Sequence, residues 1–139
     1  MDIAALIAWL VTAVGGFVML GTWIAKGGTR EPRRSRFSPG LIFGHFALAA
    51  AGLVLWIVYL IAGGKTLAWI AFVLLVPVAL LGFTMLARWI PGYRDRTAAA
   101  SAADAAPEQH FPVVVVAAHG LVAVATVVLV LLAALGIGS

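Results

Sequence analysis

Two histidines lie inside long apolar stretches of the chain, where ionisable side chains are rare. His45 and His119 are the only such groups placed deep within these stretches. An imidazole surrounded by hydrocarbon needs a partner, and an ionisable residue within a membrane span marks a functional site by default. Because a neutral imidazole nitrogen is also a common metal ligand, the pair is a candidate site for a metal or a metal-containing cofactor.

The composition determines which elements must position these histidines. The chain has 139 residues, of which 64% are hydrophobic and 10% charged, and its mean hydropathy is +1.13. A soluble domain has roughly 45–50% apolar residues. Four apolar stretches are long enough to cross roughly 30 Å of hydrocarbon. We predict a single transmembrane domain, an all-α four-helix bundle with these spans: about 3–25, 40–62, 67–90 and 112–135.

A sequence motif occurs twice in the chain. The pattern G-F-x-M-L-x-x-W-I occupies residues 16–24 and again 82–90, at an offset of 66 residues. Low-complexity apolar sequence is not expected to repeat a Met and a Trp in register. The pattern therefore predicts an internal duplication, with the first repeat at about 3–64 and the second at about 69–138.

The second and fourth spans align at an offset of 74 residues, which pairs His45 with His119 and Phe37 with Phe111. Each repeat contains two spans, so both copies have the same orientation and are expected to be related by a pseudo-twofold axis along the membrane normal. The two histidines are then at the same depth in the bilayer.

Two histidines at one depth suit the axial ligation of a single b-type haem between spans two and four. Small residues near them leave room for a flat ring, although close helix packing explains small residues equally well. The candidate cofactor-binding set is His45, His119, Gly44, Gly52, Gly120 and Ala123. Two alternatives remain open for the pair: hydrogen bonding between helices, and binding of another metal or ligand.

The charges lie in the connections between spans. Nine Lys and Arg against five Asp and Glu give a net charge of +4. The basic residues cluster near 26–36 and 91–110, so the positive-inside rule places these loops in the cytoplasm and both termini outside it. Anionic lipid headgroups explain the positive charge without nucleic acid. Residue usage is typical of a bacterial protein, so the expected location is the bacterial plasma membrane.

Several kinds of chemistry are disfavoured by what the sequence lacks. The chain has no cysteine, which excludes thiolate-ligated iron–sulfur clusters. It has no nucleotide-binding motif and no stand-alone catalytic motif. The central parts of the spans hold no carboxylate, which disfavours an ion-coupled transporter and a zinc hydrolase. A duplicated-hairpin transporter for a neutral or lipid-like substrate remains a further alternative.

Other residues receive structural interpretations. Trp23 and Trp89 are expected in an interfacial aromatic belt, and Pro77 is expected to kink the third helix. His110 is interpreted as a solvated or headgroup-level residue. Arg88 could pair with a haem propionate, but lipid anchoring is the simpler role. The sequence does not decide whether the Ala-rich segment 97–106 is ordered.

The helix count and the segments Gly44-His45-Phe46 and Ala118-His119-Gly120 resemble four-helix membrane b-type cytochromes. These include cytochrome b561-like proteins and the haem-bearing anchor subunits of respiratory complexes. The resemblance implies an electron-transfer subunit whose partner is a quinol or another redox subunit. Cytochrome b561 proteins typically hold two haems on four histidines, whereas one pair here supports one haem.

The alternative from another class is a cofactor-free structural or accessory subunit of a larger membrane complex. A small homo-oligomeric membrane protein belongs to the same class. In both cases the two histidines only link helices, and the protein carries no chromophore of its own.

Overall fold

Four helices make up most of the computed structural model, which describes residues 1–96 and 105–138. Their bounds are α1 Asp2–Ala25, α2 Pro39–Ala62, α3 Lys65–Arg96 and α4 Val113–Ala134. All four are long and apolar enough to cross a membrane. The predicted all-α fold with four membrane-length helices is therefore confirmed. Most of the Ala-rich segment 97–106 lies outside the described residues.

Local sequence signals explain most of the helix boundaries. Ser38 caps the start of α2, where its Oγ accepts a hydrogen bond from the Leu41 N–H at 3.3 Å, and Pro39 occupies the first helical position. Gly63 and Gly64 have φ angles of +70° and +99°, which favour glycine. These two glycines reverse the chain between α2 and α3 without a longer loop.

The third helix extends further than the predicted span 67–90. It continues through Pro91 to Arg96, although a proline removes one backbone hydrogen bond. Packing around this turn compensates for that loss. Trp89 and Tyr93 stack on each other with ring centres 5.0 Å apart, and Gln109 donates from Nε2 to the Gly92 carbonyl at 2.8 Å.

The helices pack as two pairs. Helix α1 lies mainly against α4, and α2 lies mainly against α3, whereas α1 and α2 have few contacts. The outer surface carries many exposed large apolar side chains, and only 11–17% of the most apolar segment of each helix is buried inside the protein. Such a surface indicates a lipid bilayer environment and a polytopic membrane protein.

Buried residues form two separate clusters along the bundle. The first, here called the terminal-side cluster, includes Ala5, Trp9, Trp56, Leu75 and Val130. Trp56 is fully buried and packs on Tyr59 with ring centres 4.8 Å apart, so the packing role expected for both residues is confirmed. At this end the Tyr59 hydroxyl also donates to Asp2 Oδ2 at 3.2 Å.

The second cluster, here called the loop-side cluster, consists of Trp23, Phe37, Ile42, Trp89 and Phe111. The prediction that Trp23 and Trp89 form a lipid-facing belt is wrong, because both indoles are buried inside the protein. Each indole N–H has a protein partner there. Trp23 donates to Ser35 Oγ at 2.9 Å, and Trp89 donates to the Glu108 carbonyl at 3.0 Å.

Candidate functional site

The two histidines predicted from the sequence come together in the structure. His45 on α2 and His119 on α4 are half-buried, and their ring centres lie 6.4 Å apart with an angle of 56° between the ring planes. Both imidazoles line a cavity of about 470 Å³ inside the bundle. The site therefore holds two nitrogen ligands that face a common space.

Each imidazole is fixed by a backbone carbonyl of a neighbouring helix. His45 Nδ1 lies 3.0 Å from the Val78 carbonyl on α3, and His119 Nδ1 lies 2.9 Å from the Thr12 carbonyl on α1. A carbonyl oxygen only accepts hydrogen bonds, so Nδ1 carries the proton in both rings. The lone pair is then on Nε2, which has no hydrogen-bond partner among the described residues. This is the tautomer that binds a metal through Nε2.

The separation of the rings fits one metal ion between them. A bond from a metal to a histidine nitrogen is about 2.0 Å. The centre of a five-membered ring with bonds of about 1.33 Å lies about 1.1 Å from each ring atom. Two imidazoles on opposite sides of one ion therefore have their centres roughly 6.2 Å apart. The observed distance is 6.4 Å.

The donor set contains two imidazoles and nothing more. No group of three or more His, Cys, Asp or Glu side chains is positioned for a metal ion in the described part of the chain. A structural zinc site needs four ligands, and a catalytic one needs three from the protein. Two axial imidazoles are sufficient when a macrocycle supplies the remaining ligands.

Two glycines allow the imidazoles to lie against the neighbouring helices. A Cβ atom at Gly82 would be 3.3 Å from His45 Cε1, and one at Gly16 would be 3.4 Å from His119 Cε1. Both distances are tighter than ordinary van der Waals contact. Sequence analysis did not select these glycines, although a signal was present, since they are the first residue of each copy of the repeated motif.

The repeated motif forms much of the cavity wall. The Gly, Phe, Met, Leu and Trp positions shared by residues 16–23 and 82–89 all line the cavity, in both copies. Of the 32 described residues that line it, 30 form pairs separated by 66 or 74 positions. The unpaired ones are Thr126 and Val128. The sequence repeat and the cavity therefore involve the same residues.

The four small residues predicted near the histidines have different positions. Gly120 and Ala123 line the cavity, whereas Gly44 and Gly52 are not among the lining residues. A Cβ at Gly52 would be 3.0 Å from the Trp9 indole, so Gly52 allows α1 to pack closely on α2. At Gly44 no atom lies within 4 Å of the position of a Cβ.

A buried carboxylate closes the loop side of the cavity. Glu108 is 1% exposed, and its two carboxylate oxygens accept hydrogen bonds from Ser35 Oγ and the Arg36 N–H, each at 2.7 Å. The rings of Phe37 and Phe111 lie 6.2 Å apart, next to this contact. Sequence analysis missed Glu108, because its partners lie more than 70 residues away and no local pattern indicates them.

Two further residues have positions that bear on their predicted roles. Arg88 donates from Nη1 to the Arg36 carbonyl at 3.3 Å, which ties α3 to the first connection. His110 is half-buried in the 3₁₀ turn Pro107–His110, and its buried Nδ1 atom has no hydrogen-bond partner among the described residues. The solvated position expected for His110 is therefore wrong for this nitrogen.

Comparison with known proteins identifies no relative: the chain matches no protein-family model, no curated protein and no solved structure. Function must therefore be inferred from the histidine pair, the cavity and the loops that close it.

Proposed function

We propose that this protein is a membrane b-type cytochrome-like electron-transfer subunit that holds one haem between α2 and α4. His45 and His119 are its two axial ligands. The observation that carries this proposal is the pair of opposed imidazoles, whose centres lie 6.4 Å apart. Each imidazole has its Nδ1 proton on a backbone carbonyl, which leaves Nε2 for the iron.

The cavity supports the proposal through its size and its chemistry. Its volume of about 470 Å³ lies within the range of roughly 300–1,000 Å³ found for ligand and cofactor sites. The lining side chains are almost all apolar, as a porphyrin face requires. Gly120 and Ala123 are among the small residues that leave space beside His119.

The residues of the chain would bind, orient and shield the cofactor. The carbonyls of Val78 and Thr12 hold the imidazole planes, and Gly82 and Gly16 let the rings lie against α3 and α1. The loop-side cluster excludes water from one end. A haem with both axial positions filled by histidine supplies one-electron transfer rather than oxygen activation. Its electron partner is a quinol or another redox subunit.

Internal duplication is part of the same proposal. His45 of the first repeat bonds to Val78 of the second, and His119 of the second bonds to Thr12 of the first. Val78 and Thr12 are themselves 66 positions apart, which is the offset of the motif. These reciprocal contacts support a parallel duplication with a pseudo-twofold axis through the histidine pair. A bacterial plasma membrane location with extracytoplasmic termini completes the proposal.

A cofactor-free accessory subunit is the second candidate, and one observation favours it. The two histidine–carbonyl bonds join α2 to α3 and α4 to α1, which is what a purely structural pair needs. This role requires neither the free Nε2 atoms nor the cavity between the rings. It predicts a colourless protein that purifies together with a larger complex.

Electron paramagnetic resonance of the oxidised protein, purified in mild detergent after expression with added haem precursor, separates the two candidates. We expect a low-spin ferric signal typical of two imidazole ligands. A high-spin signal would mean that only one histidine binds iron. A protein without a haem signal would contradict the proposal and favour the accessory subunit.

A further inference from the structure

The two lateral edges of the histidine cavity differ. Between α1 and α2, Phe17 and Phe46 meet edge to face with ring centres 5.7 Å apart, and they fill the gap between these helices. The residues at the corresponding repeat offsets on the other edge are Phe83 on α3 and Gly120 on α4. Gly120 has no side chain, and no atom lies within 4 Å of the position of its Cβ.

A groove of about 370 Å³ lies between α3 and α4 at this position. Phe83, Trp89 and Gly120 line both the groove and the central cavity, so the two spaces adjoin. On its outer side the groove is lined by Val113 and Leu121, which are 41% and 74% exposed. The groove therefore leads from the histidine cavity to the lipid-facing surface.

The groove is suited to a flat apolar molecule. Its lining side chains are apolar apart from the indole N–H of Trp89, which already donates to the Glu108 carbonyl. Phe83 and Trp89 provide aromatic surfaces on which another ring can stack. An acyl chain would gain nothing from these rings. The aromatic walls therefore favour a ligand with a planar ring over an ordinary lipid tail.

The loop side offers no comparable opening among the described residues. Phe37, Phe111 and the two buried indoles occupy that end, and the Glu108 carboxylate ties the two connections together above them. A water-soluble molecule has no open route to the cavity there. A partner that approaches closely must therefore come through the membrane.

We propose that the α3–α4 groove binds a lipid-soluble quinone, whose ring lies against Phe83 and Trp89 and whose tail extends into the bilayer past Leu121. This inference depends on the proposed function, because it names the class of electron partner for the same site. The asymmetry between Phe46 and Gly120 makes the α3–α4 edge the binding edge.

Photolabelling tests the assignment. The haem-loaded protein is placed in phosphatidylcholine–phosphatidylglycerol vesicles and labelled with an azido-naphthoquinone that carries a short isoprenoid tail, with or without excess unlabelled quinone. We expect peptides of α3 and α4 to carry a label that the excess quinone removes. In Gly120→Phe, which restores the side chain present at position 46, labelling should fall about tenfold because the new ring fills the groove.

Two other variants make the test decisive. Ala117→Phe fills the outer groove without lying on the central cavity, and it should also reduce labelling even if Gly120→Phe does not fold. Gly44→Phe adds the same bulk to α2 away from both spaces, and it should label like the unmodified protein.

Four other outcomes would count against part of the account. Labelling spread evenly over lipid-facing residues, or unchanged in the filled variants, would overturn the quinone site. So would a phospholipid retained in the groove that the quinone does not displace, or a second copy of the chain cross-linked there. Specific labelling in a protein without a haem spectrum would overturn the proposed function and leave the quinone site standing.

Discussion

The rings of His45 and His119 lie 6.4 Å apart although 74 residues separate them in the chain. Neither ring is free to rotate, because each donates a hydrogen bond to a carbonyl of a different helix. Together these contacts involve all four helices. The pair is therefore positioned by the whole bundle, and changes at the pair or at the helix surfaces beside it should alter haem binding.

Removal of either histidine should abolish low-spin haem binding. His45→Ala or His119→Ala leaves one axial nitrogen, and we expect haem affinity to fall by at least about 100-fold. A visible absorption titration of the purified variants with haem measures this loss. His110→Ala is the control and should retain the full spectrum. An unchanged spectrum in either of the first two variants would exclude that residue as a ligand.

The glycines beside the imidazoles should control ring position. Gly82→Ala places a methyl group about 3.3 Å from His45 Cε1, so the ring must shift by a few tenths of an ångström. We expect haem affinity to fall about tenfold and the reduction potential to change. Gly21→Ala is the matched control, since it brings the same helix propensity to an open position. Equal behaviour of the two variants would contradict a positioning role for Gly82.

The histidine pair, the four membrane-length helices and the cavity-lining motif could be found from sequence because they depend on hydropathy and spacing. The carbonyl partners could not, since every residue has a carbonyl and the choice of Val78 and Thr12 depends on how the helices pack. Glu108 could not be found either, because a polar residue in a loop is expected to face water. Trp23 and Trp89 were misassigned for a related reason: only the tertiary structure provides their buried acceptors.

The buried carboxylate should contribute more to stability than an exposed one. Glu108→Ala leaves the Ser35 hydroxyl and the Arg36 N–H without an acceptor, which should lower the free energy of unfolding by about 2–3 kcal/mol. Glu31→Ala removes only the exposed ion pair with Arg34 and should cost less than about 1 kcal/mol. Denaturant unfolding in detergent compares the two. Similar losses would mean that Glu108 does not lock the loops.

The orientation in the membrane can be tested because the chain contains no cysteine. Lys65→Cys and Arg33→Cys each introduce one exposed thiol, at opposite ends of α2. In intact cells a membrane-impermeant maleimide should label position 65 and leave position 33 unlabelled until the cells are lysed. The reverse pattern would place the basic connections outside the cytoplasm, against the positive-inside rule.

The most direct test of the central claim is a count of haem per chain in the protein purified from haem-supplemented cells. A dithionite-reduced minus air-oxidised visible spectrum and a pyridine haemochrome assay give this count. We expect a sharp low-spin b-type signal at about one haem per chain, since one opposed pair of axial histidines is present. A colourless protein under the same conditions would contradict haem binding by His45 and His119.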